Sequence, residues 1–112
     1  MDCLFCQIAQ HKIPSEIVYE DEILVAFKDI NPKAPVHLLI VPKKHIESIA
    51  ALEKKDQNLM GEIIFQAKLL AEEFNIAEDG YKLVLNCRKH GGQLIDHIHL
   101  HLLGGEKIES IV

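Results

Sequence analysis

Three histidines alternate with aliphatic residues near the carboxyl end of the chain, in the run His97-Ile98-His99-Leu100-His101. Side chains at every second position point to the same side of a β-strand, whereas the same spacing on a helix would scatter them. Leu102 and Leu103 continue the run, and glycine pairs flank it on both sides. The spacing therefore predicts a strand with one histidine face and one aliphatic face.

Each of these histidines can serve as a nucleophile, base, acid or metal ligand, because the unperturbed pKa of imidazole is about 6.5. Several imidazoles packed together resist being charged at once, which keeps one free as a nucleophile, while a bound phosphate favours protonation of a neighbour. This combination suits phosphoryl or nucleotidyl transfer. The run alone leaves two alternatives open, a metal-binding strand and an exposed polar face.

The elements that must position the histidines follow from residue periodicity. Alternating or β-branched segments predict strands at residues 17–19, 23–28 and 36–41, and Pro42 ends the third. Apolar residues recur at three and four positions from Glu53 to Phe74, which predicts one amphipathic helix. Residues 81–86 and 98–103 supply two more strands. The predicted fold class is α+β, a five-stranded antiparallel sheet covered by one long helix.

Length and composition predict a single domain over residues 1–112, with 48% hydrophobic residues to fill one moderate core. The net charge of -5 argues against nonspecific binding to nucleic acid. The amino-terminal residues lack the pattern of a secretory signal, and no segment approaches the roughly 20 apolar residues that span a membrane, so we expect a cytoplasmic protein without a membrane partner. The close Cys3-x-x-Cys6 pair, in an odd set of three cysteines, indicates a metal or thiol site in a reducing compartment.

Several motifs in order give the chain a resemblance to a known family. The segments 30–37, 41–45 and 91–105, together with Asn86, resemble the histidine triad (HIT) family, and especially its Hint branch. The similarity extends over nearly the whole chain. The chain is therefore identified from its sequence as a HIT protein, with the HIT-like fold that this implies.

The resemblance implies a set of catalytic residues. His99 corresponds to the nucleophile of the family, which forms a nucleotidyl-histidine intermediate that water then releases. His101 is expected to donate to phosphate oxygens and is the first candidate for protonating the leaving group. His37 would orient or polarise the site, and His97 completes the triad.

The resemblance also implies how a nucleotide is held. Asp29 would bind the ribose hydroxyls. The base slot would be apolar, and the phosphate would meet Asn86 and the backbone N–H groups of the glycine turn. The base-slot residues are Leu4, Phe5, Ile8, Phe27 and Ile30, and the turn residues are Gly92, Gln93 and Leu94. Hint relatives often carry serine where this chain has Leu94, so any contribution of Leu94 must come from its backbone.

A structural zinc site is a further implication of kinship. Cys3 and Cys6 would join His45 and His97 in a Cys₂His₂ tetrahedron, which leaves no open position for water and so plays no part in catalysis. The alternative is a pair of reduced cysteines beside a histidine without a metal. No organic cofactor is expected.

These observations lead to one functional hypothesis with two alternatives. The chain is expected to be a purine nucleoside phosphoramidase that splits P–N bonds in AMP or GMP derivatives, and kinship suggests a homodimer formed through the helix and the fourth strand. The alternatives are a dinucleoside polyphosphate hydrolase of another HIT branch and a nucleotide-binding regulatory module with little turnover. The short carboxyl-terminal tail departs from the aromatic, proline-containing tail of many Hint relatives.

Overall fold

The structure is a computed structural model that describes residues 3–109. Its α-helices and strands, in chain order, are α1 (Leu4–Ala9), β1 (Ile17–Glu20), β2 (Leu24–Lys28), β3 (Val36–Pro42), α2 (Gln57–Glu73), β4 (Lys82–Leu85) and β5 (Leu100–Gly104). Short 3₁₀ turns lie at Ile49–Ala51, Lys54–Asp56 and Lys89–Gly91.

The five strands form one antiparallel sheet in the order β1-β2-β3-β5-β4. Hairpins join the first three strands, while β5 inserts between β3 and β4. The long helix α2 packs against β3 and β5 at the centre of the sheet. The predicted five-stranded antiparallel sheet with one long helix is therefore confirmed.

The pleat of β3 and β5 sends their side chains to opposite faces of the sheet. Leu38 and Leu102 lie opposite each other and belong to the core beneath α2. Leu39 lies opposite His101, and His37 lies opposite Leu103, on the other face. His37 and His101 are thus diagonal neighbours, close enough for their side chains to meet.

Two apolar cores lie on the two faces of the sheet. The larger one packs under α2, and the second lies between the sheet and the short helix α1, which the sequence did not predict. The second core consists of Phe5, Ile8, Ala9, Val25, Phe27, Leu39 and Val41. The histidine face of the sheet continues this second core, so α1 lies beside the histidines.

The structure corrects the predicted bounds of the last strand and of the helix. β5 begins at Leu100, so His97 and His99 lie in the segment that leads into the strand rather than within it. The ladder between β3 and β5 ends at Ile40 opposite Leu100, and the N–H of Ile98 donates to the carbonyl of Ile46 instead. The helix begins at Gln57 rather than Glu53, because residues 54–56 form a 3₁₀ turn. The alternation nevertheless holds, since Ile98 and Leu100 are buried in the larger core.

Leu70 is expected to be a main contributor to the stability of the helix–sheet interface, because its side chain is only 1% exposed. Leu70→Ala should lower the free energy of unfolding by about 2–5 kcal/mol through lost burial and the cavity left behind. Urea denaturation measures the change. Glu73→Ala, an exposed change one turn further along α2, should stay within about 0.5 kcal/mol of wild type. Equal losses in the two variants would contradict this packing.

Within residues 3–109, none of the helices has the length and apolar character needed to cross a lipid bilayer.

Candidate active site

His37, His101 and Asp29 meet where β3 and β5 run side by side. The Nε2 atom of His37 lies 2.9 Å from Nδ1 of His101 and 3.3 Å from Oδ2 of Asp29. The His37 side chain is only 3% exposed and that of Asp29 is 19% exposed. The three groups therefore interact in a largely dry environment, in which their hydrogen bonds and charges act strongly.

The proton positions on His37 and His101 follow from a backbone donor. The N–H of Lys33 donates to Nδ1 of His37 over 3.0 Å, so that nitrogen must hold a lone pair. The proton of neutral His37 is therefore on Nε2, where it can be donated to Nδ1 of His101. Neutral His101 then carries its own proton on Nε2. A single backbone contact thus leaves His101 with an N–H donor on the side away from His37.

His99 has the opposite arrangement. Its Nδ1 lies 2.8 Å from the backbone carbonyl oxygen of His97, which can only accept, so Nδ1 carries the proton. The Nε2 atom is then unprotonated and carries a lone pair. The ring is 6% exposed, its centroid lies 5.0 Å from that of His101, and Phe5 packs edge-on against it at 5.0 Å. His99 is therefore held as a neutral imidazole with a nucleophilic nitrogen.

Burial shifts the titration of these rings in one direction. Desolvation, followed by the nearby His99 and His37, lowers the pKa of His101 to about 4. Desolvation likewise lowers the pKa values of His37 and His99, with the Asp29 carboxylate opposing the shift in both. The site is consequently uncharged on its histidines at neutral pH, which leaves the Nε2 lone pair of His99 available.

A pH dependence of stability follows from His101. Its folded pKa of about 4 lies below the unfolded value of about 6.5, so the unfolded chain binds more protons between these values. This contribution to stability is complete above about pH 6.5 and is lost as the pH falls towards 4. Urea denaturation at several pH values should show a shallower acid-side loss for His101→Asn than for wild type. The exposed His90→Asn change serves as the control, and equal slopes in all three proteins would refute the assignment.

Two cysteines and two histidines converge beside this site. Nδ1 of His97 lies 3.3 Å from Sγ of Cys3, 3.6 Å from Sγ of Cys6 and 3.2 Å from Nδ1 of His45. The Cys6 and His45 donor atoms are 3.3 Å apart. Zinc in a tetrahedral site, with bonds of about 2.3 Å to sulfur and 2.0 Å to nitrogen, requires separations of roughly 3.3 Å between two nitrogens, 3.5 Å between nitrogen and sulfur, and 3.8 Å between two sulfurs. The one nitrogen–nitrogen and three nitrogen–sulfur distances lie within about 0.2 Å of these values, and all four donor atoms lie within 4.8 Å of one another.

The proton position on His97 also fits metal binding. Its Nε2 donates to the carbonyl oxygen of Pro42 over 2.7 Å, so Nδ1 presents its lone pair to the cysteines. Asp29, His37 and His101 form a second cluster whose donor atoms lie within 4.8 Å of one another. There the Lys33 N–H occupies Nδ1 of His37, and the Nε2 that faces the cluster keeps its proton. The first cluster fits a metal and the second does not.

The residues predicted for the base slot separate into two groups. Phe5, Ile8 and Phe27 are buried together, with the rings of Phe5 and Phe27 5.5 Å apart. Leu4 is 43% exposed and Ile30 is 90% exposed, so both lie outside this core. Asp29, His37, Asn86, Leu94 and His101 line a cavity of about 660 Å³.

The glycine turn was predicted to bind phosphate through the backbone N–H groups of Gly92, Gln93 and Leu94, but two of these three groups have partners within the turn. The backbone N–H of Gly92 donates to Lys89, and that of Gln93 donates to Arg88, so both are already occupied within the turn. The Gln93 side chain is also committed, since it bonds the backbone of Arg88, Glu47 and Ile95. Among the described residues, the Leu94 N–H has no protein acceptor. The turn is therefore built by Gly92 and Gln93, and the Leu94 N–H is the one available to a ligand.

Three main-chain groups escaped prediction from the sequence, namely the N–H of Lys33 and the carbonyls of Pro42 and His97. Each of these groups fixes the position of the proton on a histidine ring. Because nearly every residue carries a main-chain N–H and every residue carries a carbonyl, no residue type in the sequence predicts these contacts. Asn86 was predicted, and its amide donates to the carbonyl of Gly91 over 2.7 Å, which ties β4 to the turn.

Comparisons with known proteins extend over nearly the whole chain. A family described as "Scavenger mRNA decapping enzyme C-term binding" matches residues 2–110. The purine nucleoside phosphoramidase of Escherichia coli (strain K12) is 43% identical over 107 residues, which cover 96% of this chain and 90% of that protein. A HIT family hydrolase from Legionella pneumophila superposes with a TM-score of 0.95 at 50% identity, over 96% of both chains. A histidine triad protein from Clostridium difficile gives a TM-score of 0.96 at 40% identity, over 100% of this chain and 97% of that one.

Proposed function

We propose that this chain, which belongs to the histidine triad (HIT) family and is a hydrolase of nucleotides, is a purine nucleoside phosphoramidase that acts through His99. One observation carries the proposal. The Nδ1–H of His99 is committed to the carbonyl of His97, which leaves Nε2 as a buried, unprotonated nitrogen beside a second imidazole. Such a nitrogen is a nucleophile at neutral pH.

The proposed reaction has two displacements at phosphorus. In the first, Nε2 of His99 forms a bond to the α-phosphorus, the P–N bond of the substrate breaks, and the amine leaves after taking up a proton. In the second, a water oxygen attacks the same phosphorus, the bond to His99 breaks, and the water gives up a proton. The sum consumes one water and yields the amine and a nucleoside monophosphate.

His101 supports both displacements in this proposal. Because His37 donates to its Nδ1, the proton of neutral His101 is on Nε2, where it can form a hydrogen bond to a phosphate oxygen. Protonation of the leaving nitrogen requires the doubly protonated form of His101. The Leu94 N–H and the second N–H of the Asn86 amide are further donors near the same cavity. Donors fixed before the reaction stabilise the charge that develops on the phosphoryl oxygens.

Nucleotide binding is proposed on the α1 side of the histidines. Phe5, Ile8 and Phe27 supply apolar surface for a base, and the Phe5 ring already contacts His99. Asp29, with 19% of its side chain exposed, is proposed to accept from the ribose hydroxyls. Leu4 and Ile30, both exposed, are proposed to close over the base when it is bound.

A structural zinc ion is proposed at Cys3, Cys6, His45 and His97. When bound there, zinc would cross-link the amino-terminal segment to the sheet without an open coordination position. The donor spacing and the proton position on His97 support the assignment.

A homodimer is proposed through α2 and β4. Apolar side chains that are 37–58% exposed lie on the outer face of α2 and on the edge strand β4, among them Phe65, Leu69 and Leu83. Light scattering should give twice the chain mass for wild type, and Leu83→Lys should shift it towards the monomer. A wild-type protein with the mass of one chain would contradict the dimer.

Two substrates distinguish the proposed activity from its nearest alternative. Wild type should hydrolyse adenosine 5′-phosphoramidate with a higher kcat/KM than a diadenosine polyphosphate, because the site is proposed to use a protonated amine as leaving group. The reverse preference would favour the polyphosphate hydrolases of the family. Binding of AMP without turnover of either substrate would favour a regulatory nucleotide-binding module.

A further inference from the structure

The contact between His37 and His101 leaves no place for a second proton on His101. The Lys33 N–H fixes Nδ1 of His37 as an acceptor, so Nε2 of His37 must donate. That N–H points at Nδ1 of His101 over 2.9 Å. When His101 becomes an imidazolium, Nδ1 also carries a proton, and two N–H groups then face each other. The charged form requires another acceptor at this position.

Asp29 supplies that acceptor. Its Oδ2 lies 3.3 Å from Nε2 of His37, and its Oδ1 accepts the backbone N–H of Asn31 over 2.8 Å, which holds the carboxylate in place. One carboxylate oxygen of Asp29 and one ring nitrogen from each of His37 and His101 all lie within 4.8 Å of one another. In the part of the chain that the structure describes, Oδ2 is the one acceptor besides His101 at this N–H. An ionised carboxylate oxygen can accept more than one hydrogen bond.

We propose that Asp29 is a positioning residue that accepts the N–H groups of His37 and His101 whenever His101 carries two protons, and thereby makes the acid form of His101 accessible. The inference deepens the proposed function and rests on it for its catalytic meaning, because a departing amine needs a proton from this region. Asp29 acts through the histidines and does not itself transfer a proton.

Other charged groups near the pair do not replace Asp29. Lys33, from the same loop, has a positive charge that opposes protonation of His37. His99 faces His101 from the approach to β5 and is itself neutral. The remaining charged residues around the adjoining cavity come from β4 and from the segment after β5, and they are Lys82, Glu106, Lys107 and Glu109.

The test is a histidine titration in the ligand-free, metal-loaded protein. The ring signals of His101 and His37 are followed by NMR from pH 8 to 4.5, with the folded state checked at each pH from the backbone amide spectrum. The onset of His101 protonation should move to lower pH in Asp29→Asn, which keeps an oxygen for the Asn31 N–H but lacks the charge. Glu106→Gln, which removes a carboxylate lining the same cavity, should leave the onset where it is in wild type.

A second measurement needs no variant. In wild type, the ring nitrogen shifts of His37 should report the Nε2–H form throughout, while His101 takes up the second proton. Equal onsets in wild type and Asp29→Asn, or a His37 ring that takes the proton in place of His101, would overturn the inference. No nucleotide is present, so a role confined to ribose binding predicts equal onsets. If neither wild type nor any variant hydrolyses a phosphoramidate, but the onset of His101 protonation still moves in Asp29→Asn, the proposed function fails while this inference stands.

Discussion

Replacing His99 with alanine is expected to lower kcat for adenosine 5′-phosphoramidate by on the order of 10⁴-fold or more, as loss of a nucleophile does in enzymes with covalent intermediates. No other ring in the site can substitute for it. The Nε2 of His101 carries a proton, and both nitrogens of His37 are engaged with Lys33 and His101. Single-turnover kinetics measure the loss.

Two controls accompany this variant. AMP should still bind to His99→Ala, because the proposed base slot and Asp29 are unchanged, and calorimetry measures that affinity. His11→Ala, a change at an exposed histidine that pairs with Glu20 on the surface, should keep wild-type turnover. Turnover by His99→Ala within tenfold of wild type would show that another group attacks phosphorus.

Loss of the proposed zinc is expected to have the second largest effect. Cys6→Ser should reduce the zinc content from one ion per chain to near zero and lower the free energy of unfolding by on the order of 5 kcal/mol. That is less than the roughly 10–16 kcal/mol typical of zinc-finger peptides, because the larger apolar core, beneath α2, contains none of the four ligands. Elemental analysis and urea denaturation measure the two changes.

Cys87→Ser is the matched control for the zinc variant. Cys87 is partly exposed and lies outside the Cys3, Cys6, His45 and His97 cluster, so zinc content and stability should stay at wild-type values. Wild-type protein that binds no zinc at neutral pH, or equal effects of the two substitutions, would contradict the proposed site.

The histidine face could be predicted because it depends on alternation alone. Ile98 and Leu100 enter the core beneath α2, and His99 between them faces α1, as period-two spacing requires. The start of the strand could not be predicted in the same way. The ladder with β3 begins at Leu100 because the N–H of Ile98 donates to the carbonyl of Ile46, a residue that lies far away in sequence and becomes adjacent only when the sheet forms.

The role of the glycine turn could be predicted only in outline. Gly92 has φ of 78°, a left-handed conformation that glycine adopts without strain, which agrees with a turn. Which N–H groups remain available depends on how the turn closes. Gly92 and Gln93 bond back to Lys89 and Arg88, and only the complete backbone path shows that Leu94 does not. The proton positions on the histidines likewise depend on main-chain contacts that side-chain identity does not encode.

The most direct measurement is a search for the covalent intermediate. Wild type mixed with excess adenosine 5′-phosphoramidate and quenched within one turnover in denaturant at alkaline pH should gain the mass of one adenylyl group, and peptide mapping should locate it on His99. His99→Ala should show no such gain. An adduct on His37 or His101, or turnover of the substrate with no adduct on any histidine, would contradict the account.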